Sequence, residues 1–184
     1  MSNIEPHSAI IKKLCKEILI PAGIFQKGSS RVYIDDNGYF FTVIEFQPSG
    51  FSKGTFLNVG LCFLWNENDY MGWNNPNDRV GRQFIEYQDN EQFERDVKPY
   101  VEKALELALF YRNLRDIEYA KEYFGKRDFG NNPITYDIKI IKERFRDAEI
   151  CDKIRRQRAF WHVKPSMKKM QYNEIYDKQP DLLE

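Results

Sequence analysis

Several things are scarce in these 184 residues, and each scarcity excludes something. There are three cysteines, Cys15, Cys62 and Cys151, far apart in the chain, and no C-x-x-C pair. Only His7 and His162 could complete a ligand set, so a structural zinc site is not expected, and no metal or other cofactor is read from the residues. An odd number of scattered thiols also argues against a disulfide framework and for a reducing compartment. Net charge is lacking too: Lys+Arg and Asp+Glu both number 28, which disfavours wholesale binding of a polyanion while permitting a local basic face. Apolar runs stay short. Ile10–Ile20 is interrupted by Lys12, Lys13, Lys16 and Glu17, and nothing reaches the ~20 apolar residues of a membrane span. A cytoplasmic protein with no membrane association and no signal peptide is the expectation. Enzyme motifs are missing as well: no G-x-S-x-G, no H-E-x-x-H, no P-loop. A nucleophile–histidine–acid triad would have to recruit His7 or His162, one near each end, so no catalytic residue is assigned and the expectation leans away from an enzyme.

What the chain does have is aromatic and apolar mass, 15% and 42% of residues, enough for a sizeable core. Its organising stretch is Arg31–Trp65, which reads as three strands: Arg31–Ile34, Tyr39–Gln47 and Thr55–Trp65. Asp35-Asp36-Asn37-Gly38 joins the first two, since Asn-Gly tolerates the positive φ of a tight hairpin. Pro48–Gly54 joins the next two with its own turn formers. In the third strand the odd positions Leu57, Val59, Leu61, Phe63 and Trp65 form an unbroken apolar row, the face expected to meet the helices. A fourth strand is expected at Arg79–Gln88.

Around this sheet the periodicity becomes helical. Pro6–Ile20 carries Ile10, Ile11, Leu14, Cys15, Ile18 and Leu19 on one stripe and is stopped by Pro21. A helix capped by Asp89 or Asn90 is expected to run to about Asn113 with Phe93, Val97, Val101, Ala104, Leu105, Ala108 and Leu109 inward, kinking or starting at Pro99. Leu114–Phe124 follows. Thr135–Trp161 reads as the longest helix, its Ile134, Ile138, Ile141, Phe145, Ala148, Cys151 and Ile154 making a narrow seam that admits a homodimer. The fold class is therefore α+β: an antiparallel sheet of about four strands flanked by an N-terminal helix and a helical C-terminal half. One domain spans 1–164 (sheet core 31–88, helical part 89–161), and 165–184 is a polar tail.

The run Ile11–Gly28, a lysine-studded helix leading to Pro-Ala-Gly-Ile-Phe-Gln-Lys-Gly, is followed by Arg31-Val32-Tyr33, Val43-Ile44-Glu45-Phe46-Gln47 and Phe56-Leu57-Asn58-Val59-Gly60. These segments resemble the bacterial domain-of-unknown-function family numbered 4304, with its glycine-phenylalanine-lysine-lysine segment, its strand ending in phenylalanine-glutamine and its asparagine-x-glycine strand. The resemblance covers roughly residues 10–87. Gly23-Ile24-Phe25 carries an extra isoleucine, and Ile44-Glu45 stands where the family has valine-asparagine. It implies an α+β fold and no settled activity, and so supplies no site residues.

Three stretches are candidates for function. Glu45, Gln47 and Asn58, with Arg79 and Arg82, would form a polar strand face, either a pocket or a solvated surface. Tyr70, Met71 and Trp73 lie in the polar loop Asn66–Asp78 and would make a recognition patch for an unidentified protein partner, or else tuck onto the sheet edge. That loop lacks calcium-loop spacing, because Tyr70 occupies a required oxygen-ligand position. Lys153, Arg155, Arg156, Arg158, Lys164, Lys168 and Lys169, interleaved with Phe160, Trp161 and His162, would contact nucleic acid or form the cationic end of a helix. The expectation is a non-catalytic binding protein, of immunity type among other options. Nucleic-acid binding through 153–169 is the alternative, and an enzyme with a pocket on the strand face comes third.

Overall fold

Pro6 opens the first helix at the position where its missing N–H costs nothing, and α1 (Pro6–Ile18) buries His7, Ile10, Ile11, Leu14 and Cys15 on one stripe. It ends two residues short of the expected Ile20, because Pro21 has no N–H to continue the ladder. A 3-10 turn, Ile20–Ala22, and Gly23 at φ 83° redirect the chain. The computed structural model describes residues 5–67, 75–81, 83–126 and 134–162, with the side chains of 75–78 and 134 left aside. Arg82, the residues of the Tyr70–Trp73 patch, Lys164, Lys168, Lys169 and the 165–184 tail fall outside them.

Among the described residues the sheet runs β1 (Phe25–Gln26), β2 (Val32–Asp36), β3 (Phe40–Gln47), β4 (Gly54–Phe63), β5 (Asn75–Arg79), with β6 (Ile85–Glu86) also on β4. The architecture is α+β with an antiparallel sheet. β1 pairs Phe25 with Ile34 and Gln26 with Tyr33. The β2–β3 hairpin closes where Asn37 N–H donates to Phe40 O at 3.0 Å, with Gly38 at φ 86°. This turn sits two residues later than the first expected strand allowed.

The expected strand Arg79–Gln88 is two pieces. Val80 N–H still donates to Leu57 O at 2.9 Å, then Gly81 at φ 72° breaks the extended run, and pairing resumes with Thr55↔Ile85 and Gly54↔Glu86. Gly54 makes that second contact possible. At φ 148°, a Cβ there would stand 2.2 Å from Ile85 O.

Among the described residues the longest helix is α2 (Asn90–Tyr111, 22 residues), not Thr135–Trp161. Asp89 caps it by accepting from Gln92 N–H at 2.8 Å, and Pro99 is carried inside one continuous helix. Its buried stripe is Phe93, Val97, Val101, Ala104, Ala108 and Tyr111, while Leu109, expected inward, is exposed. α1 packs on α2. Arg112, just past α2, donates from Nε and Nη2 to Asp35 Oδ2 and Oδ1 (2.9 and 2.8 Å) and from Nη2 to Ala22 O (2.6 Å).

A 3-10 turn, Arg112–Arg115, leads to α3 (Ile117–Gly125), capped by Asp116. The expected helix over Thr135–Trp161 is instead α4 (Ile134–Lys139), a π-helical turn (Ile140–Arg144), a break, and α5 (Ala148–His162). The wider i→i+5 turn shifts the helical phase. Asp137, Ile140, Ile141, Ile150 and Ile154 are buried, while Ala148 of the expected seam is exposed and Cys151 half-buried. The seam is not a continuous stripe.

The chain divides into two compact units, Met1–Asp36, Thr42–Leu61 and Pro76–Arg112 in one, Asn37–Phe41, Cys62–Asn75 and Asn113–Glu184 in the other. The first holds a core of Ile11, Ile24, Ile44, Phe46, Leu57 and Phe93. In the second, Tyr39 stacks on Phe63 and Trp65 and meets Phe145 edge-on, and its hydroxyl donates to Leu114 O at 2.6 Å. Burial of the phenol pushes its pKa up.

Candidate functional site

β3 and β4 bring the expected polar face together. Leu64 N–H donates to Tyr39 O at 3.0 Å, fixing a register that sets Asn58 beside Glu45 and Gln47. Asn58 Nδ2 then donates to Glu45 Oε2 at 3.0 Å and to Gln47 Oε1 at 2.9 Å. Arg79, at the end of β5, donates from Nη2 to Gln47 Oε1 at 3.1 Å, and its Cζ lies 3.8 Å from the centroid of the Phe56 ring. Phe84 packs against the Phe56 ring, with centroids 4.9 Å apart. Glu45, Gln47, Asn58 and Phe56 are half-buried and Arg79 is exposed. Each polar side chain orients a neighbour, so the row is held in one arrangement. Exposed guanidinium–ring contacts are worth about 0.5–1 kcal/mol, enough to bias Arg79 toward the ring without locking it there.

The loop after Gln47 adds a residue the sequence reading passed over. Phe51 is 102% exposed, the largest apolar exposure among the described residues. Its N–H donates to Ser49 Oγ at 3.1 Å, and Thr55 Oγ1 reaches back to Gln47 O at 3.2 Å, so the loop is tied at both ends. The available signal was a phenylalanine set between Gly50 and Ser52 in a run of turn formers, where no core position exists for it.

Three cations of the described part of the basic segment are engaged by acids. Lys153 pairs with Glu149 at 2.6 Å, Arg155 with Asp152 at 3.3 Å and Arg156 with Glu67 at 2.8 Å. Arg158 and Trp161 are half-buried, and His162 meets Phe41 edge-on at 6.0 Å. The helix-end arrangement thus draws on side-chain partners, not free cations.

Two polar groups whose burial the sequence does not announce lie in the interior. His7, 6% exposed, faces Arg31 Nη2 at 2.8 Å through Nε2 and packs against Tyr87 and Phe93. Arg31 also donates to Ser8 Oγ and Gly54 O. Burial, then the Arg31 charge, pushes the imidazole pKa below its ordinary value. Asp137, 3% exposed, accepts from Trp65 Nε1–H at 2.7 Å and Asn66 Nδ2–H at 3.0 Å, and its burial raises the carboxyl pKa. Cys15, Cys62 and Cys151 form no disulfide; Cys15 and Cys62 are buried and Cys151 is half-buried. Burial pushes the Cys15 thiol to about 12, which leaves it a poor nucleophile. Among the described residues no group of three or more His, Cys, Asp or Glu is placed to hold a metal ion. None of the described helices is long and apolar enough to cross a membrane.

Fold and site define an α+β protein that carries a hydrogen-bonded polar row on an antiparallel sheet beside an exposed aromatic loop. No family model, curated protein or solved structure matches the chain.

Proposed function

We propose that this chain is a non-catalytic binding protein of the bacterial cytoplasm that engages a protein partner through the β3–β4 loop and the adjoining strand face. The observation that carries the reading is Phe51, fully exposed on a loop tied at both ends. An exposed, positioned aromatic resembles the anchors that dominate protein interfaces. Gln47, Asn58, Glu45 and Arg79 extend it with donors and acceptors fixed on a rigid sheet, which lowers the ordering cost of association. The resemblance of residues 10–87 to the bacterial family numbered 4304 suggests the setting, and an immunity-type role falls within it. Nucleic-acid binding is the weaker reading, since Lys153, Arg155 and Arg156 would have to leave their acidic partners to reach phosphates.

The test is affinity capture from bacterial lysate with and without nuclease, repeated with Phe51→Ser and Arg79→Ala chains. A protein retained after nuclease and lost with Phe51→Ser supports the reading. Retention that ignores both substitutions, or vanishes with nuclease, overturns it.

A further inference from the structure

In the second compact unit a cleft of about 350 Å³ opens between α3 and the π-helical turn. Its floor is apolar, with Ile117, Ile141 and the half-buried ring of Phe145. Its rim is charged, and the charges are not equally engaged. Glu118 is held by Lys121 at 2.7 Å, and Asp147 by Arg144 at 2.7 Å. Lys142 and Arg146 have no carboxylate within ion-pair distance among the described residues, and Glu143 is the one rim acid likewise without a cation there. Two unmatched cations and one unmatched anion therefore line a cleft with an apolar floor. The π-helical turn places this arrangement, since Ile141 is fully buried while Lys142 and Glu143 stand exposed.

We infer that this cleft binds a small organic monoanion with a flat apolar body, its carboxylate on Lys142 and Arg146 and its body against Phe145 and Ile117. The volume lies at the small end of the ~300–1,000 Å³ usual for ligand sites, which suits one ring and a short arm. A dianionic phosphate is disfavoured by Glu143 on the same rim, and a nucleic-acid backbone by Glu118 and Asp147 as well. A ring is favoured over a plain alkyl chain because the Phe145 ring offers offset or edge-on contact. The site shares no residue with the β3–β4 face, so each can fail without the other.

The test is titration of the isotopically labelled full chain with phenylacetate, followed by amide chemical shifts, with benzyl alcohol and phenyl phosphate in parallel. The expected result is saturable binding with shifts clustered on Ile117–Lys121 and Ile141–Asp147, and benzyl alcohol weaker by about tenfold or more. Lys142→Ala with Arg146→Ala, both at exposed positions, is expected to weaken phenylacetate by about tenfold or more while leaving the circular dichroism unchanged. Absence of saturation by about 10 mM phenylacetate overturns the inference. So do equal binding of benzyl alcohol, tighter binding of phenyl phosphate, shifts elsewhere, or indifference to the double substitution.

Discussion

Replacing Asp137 separates what its carboxyl does by shape from what it does by charge. The side chain is 3% exposed and accepts two hydrogen bonds on one oxygen, from Trp65 Nε1–H and Asn66 Nδ2–H. Asp137→Ala leaves the Trp65 N–H buried without an acceptor, a loss of about 1–3 kcal/mol, with a small further cost for the space vacated. Asp137→Asn keeps a carbonyl oxygen where the acceptor sits and removes a charge that burial disfavours, so it is expected to be neutral or to stabilise by about 1 kcal/mol near neutral pH. The pH dependence has a definite sign. Because burial raises the folded-state pKa, the stability contributed by the protonated group is fully present below the ordinary value of 3.8 and is lost as pH rises through the folded value. Asp137→Asn should remove that part of the slope, so its advantage over the parent chain grows as pH rises from about 4 toward 7. Urea unfolding followed by tryptophan fluorescence and circular dichroism measures all three chains. An Asp137→Asn chain that loses as much stability as Asp137→Ala would refute the reasoning, since the charge itself would then be what Trp65 and Asn66 require.

His7 runs the other way. Its folded pKa is depressed, so stability is full above the ordinary imidazole value of 6.5 and falls as pH drops toward the folded value. The groups facing it are Arg31, Glu5 and Lys53, with the rings of Tyr87 and Phe93. Urea midpoints at about pH 7 and about pH 5 should differ in the parent chain and converge in His7→Gln, and an unchanged difference would sink the assignment. Pro99→Ala should stabilise α2 by about 1–3 kcal/mol, because an exposed proline inside a continuous helix denies the Arg95 carbonyl its donor. A lowered thermal midpoint would show instead that Pro99 fits a local distortion of the helix.

What could be read from the residues was whatever local chemistry decides alone. Asn37-Gly38 specified a hairpin, the alternation in β4 specified its inward row, and Asp89 specified the start of α2, because turn, pleat and cap are each fixed within a few residues. β1 escaped notice because Phe25 and Gln26 are too few for a period and become a strand only when Val32–Asp36 lies beside them. The split of β5 from β6 turns on Gly54, whose missing Cβ matters only once Ile85 O has come within reach. The π-helical turn carries no proline or glycine to announce it, and its apolar spacing fits an unbroken helix equally well. At the candidate face, the polar row was visible as residue types at alternate positions. Phe51 was not, since a loop phenylalanine reads as stray core until its exposure is known.

The pairing of Arg112 with Asp35 also has a consequence in time. Asp35 is buried at 2% exposure, and its cation lies 77 residues further along the chain. On a ribosome adding about 5–20 residues per second, Asp35 would emerge roughly 4–15 s before the guanidinium that neutralises it. During that interval the carboxylate stays in water, and the hairpin cannot take its final buried place. Synthesis order therefore makes the end of α2, not the hairpin turn, the step that commits the N-terminal sheet to its core.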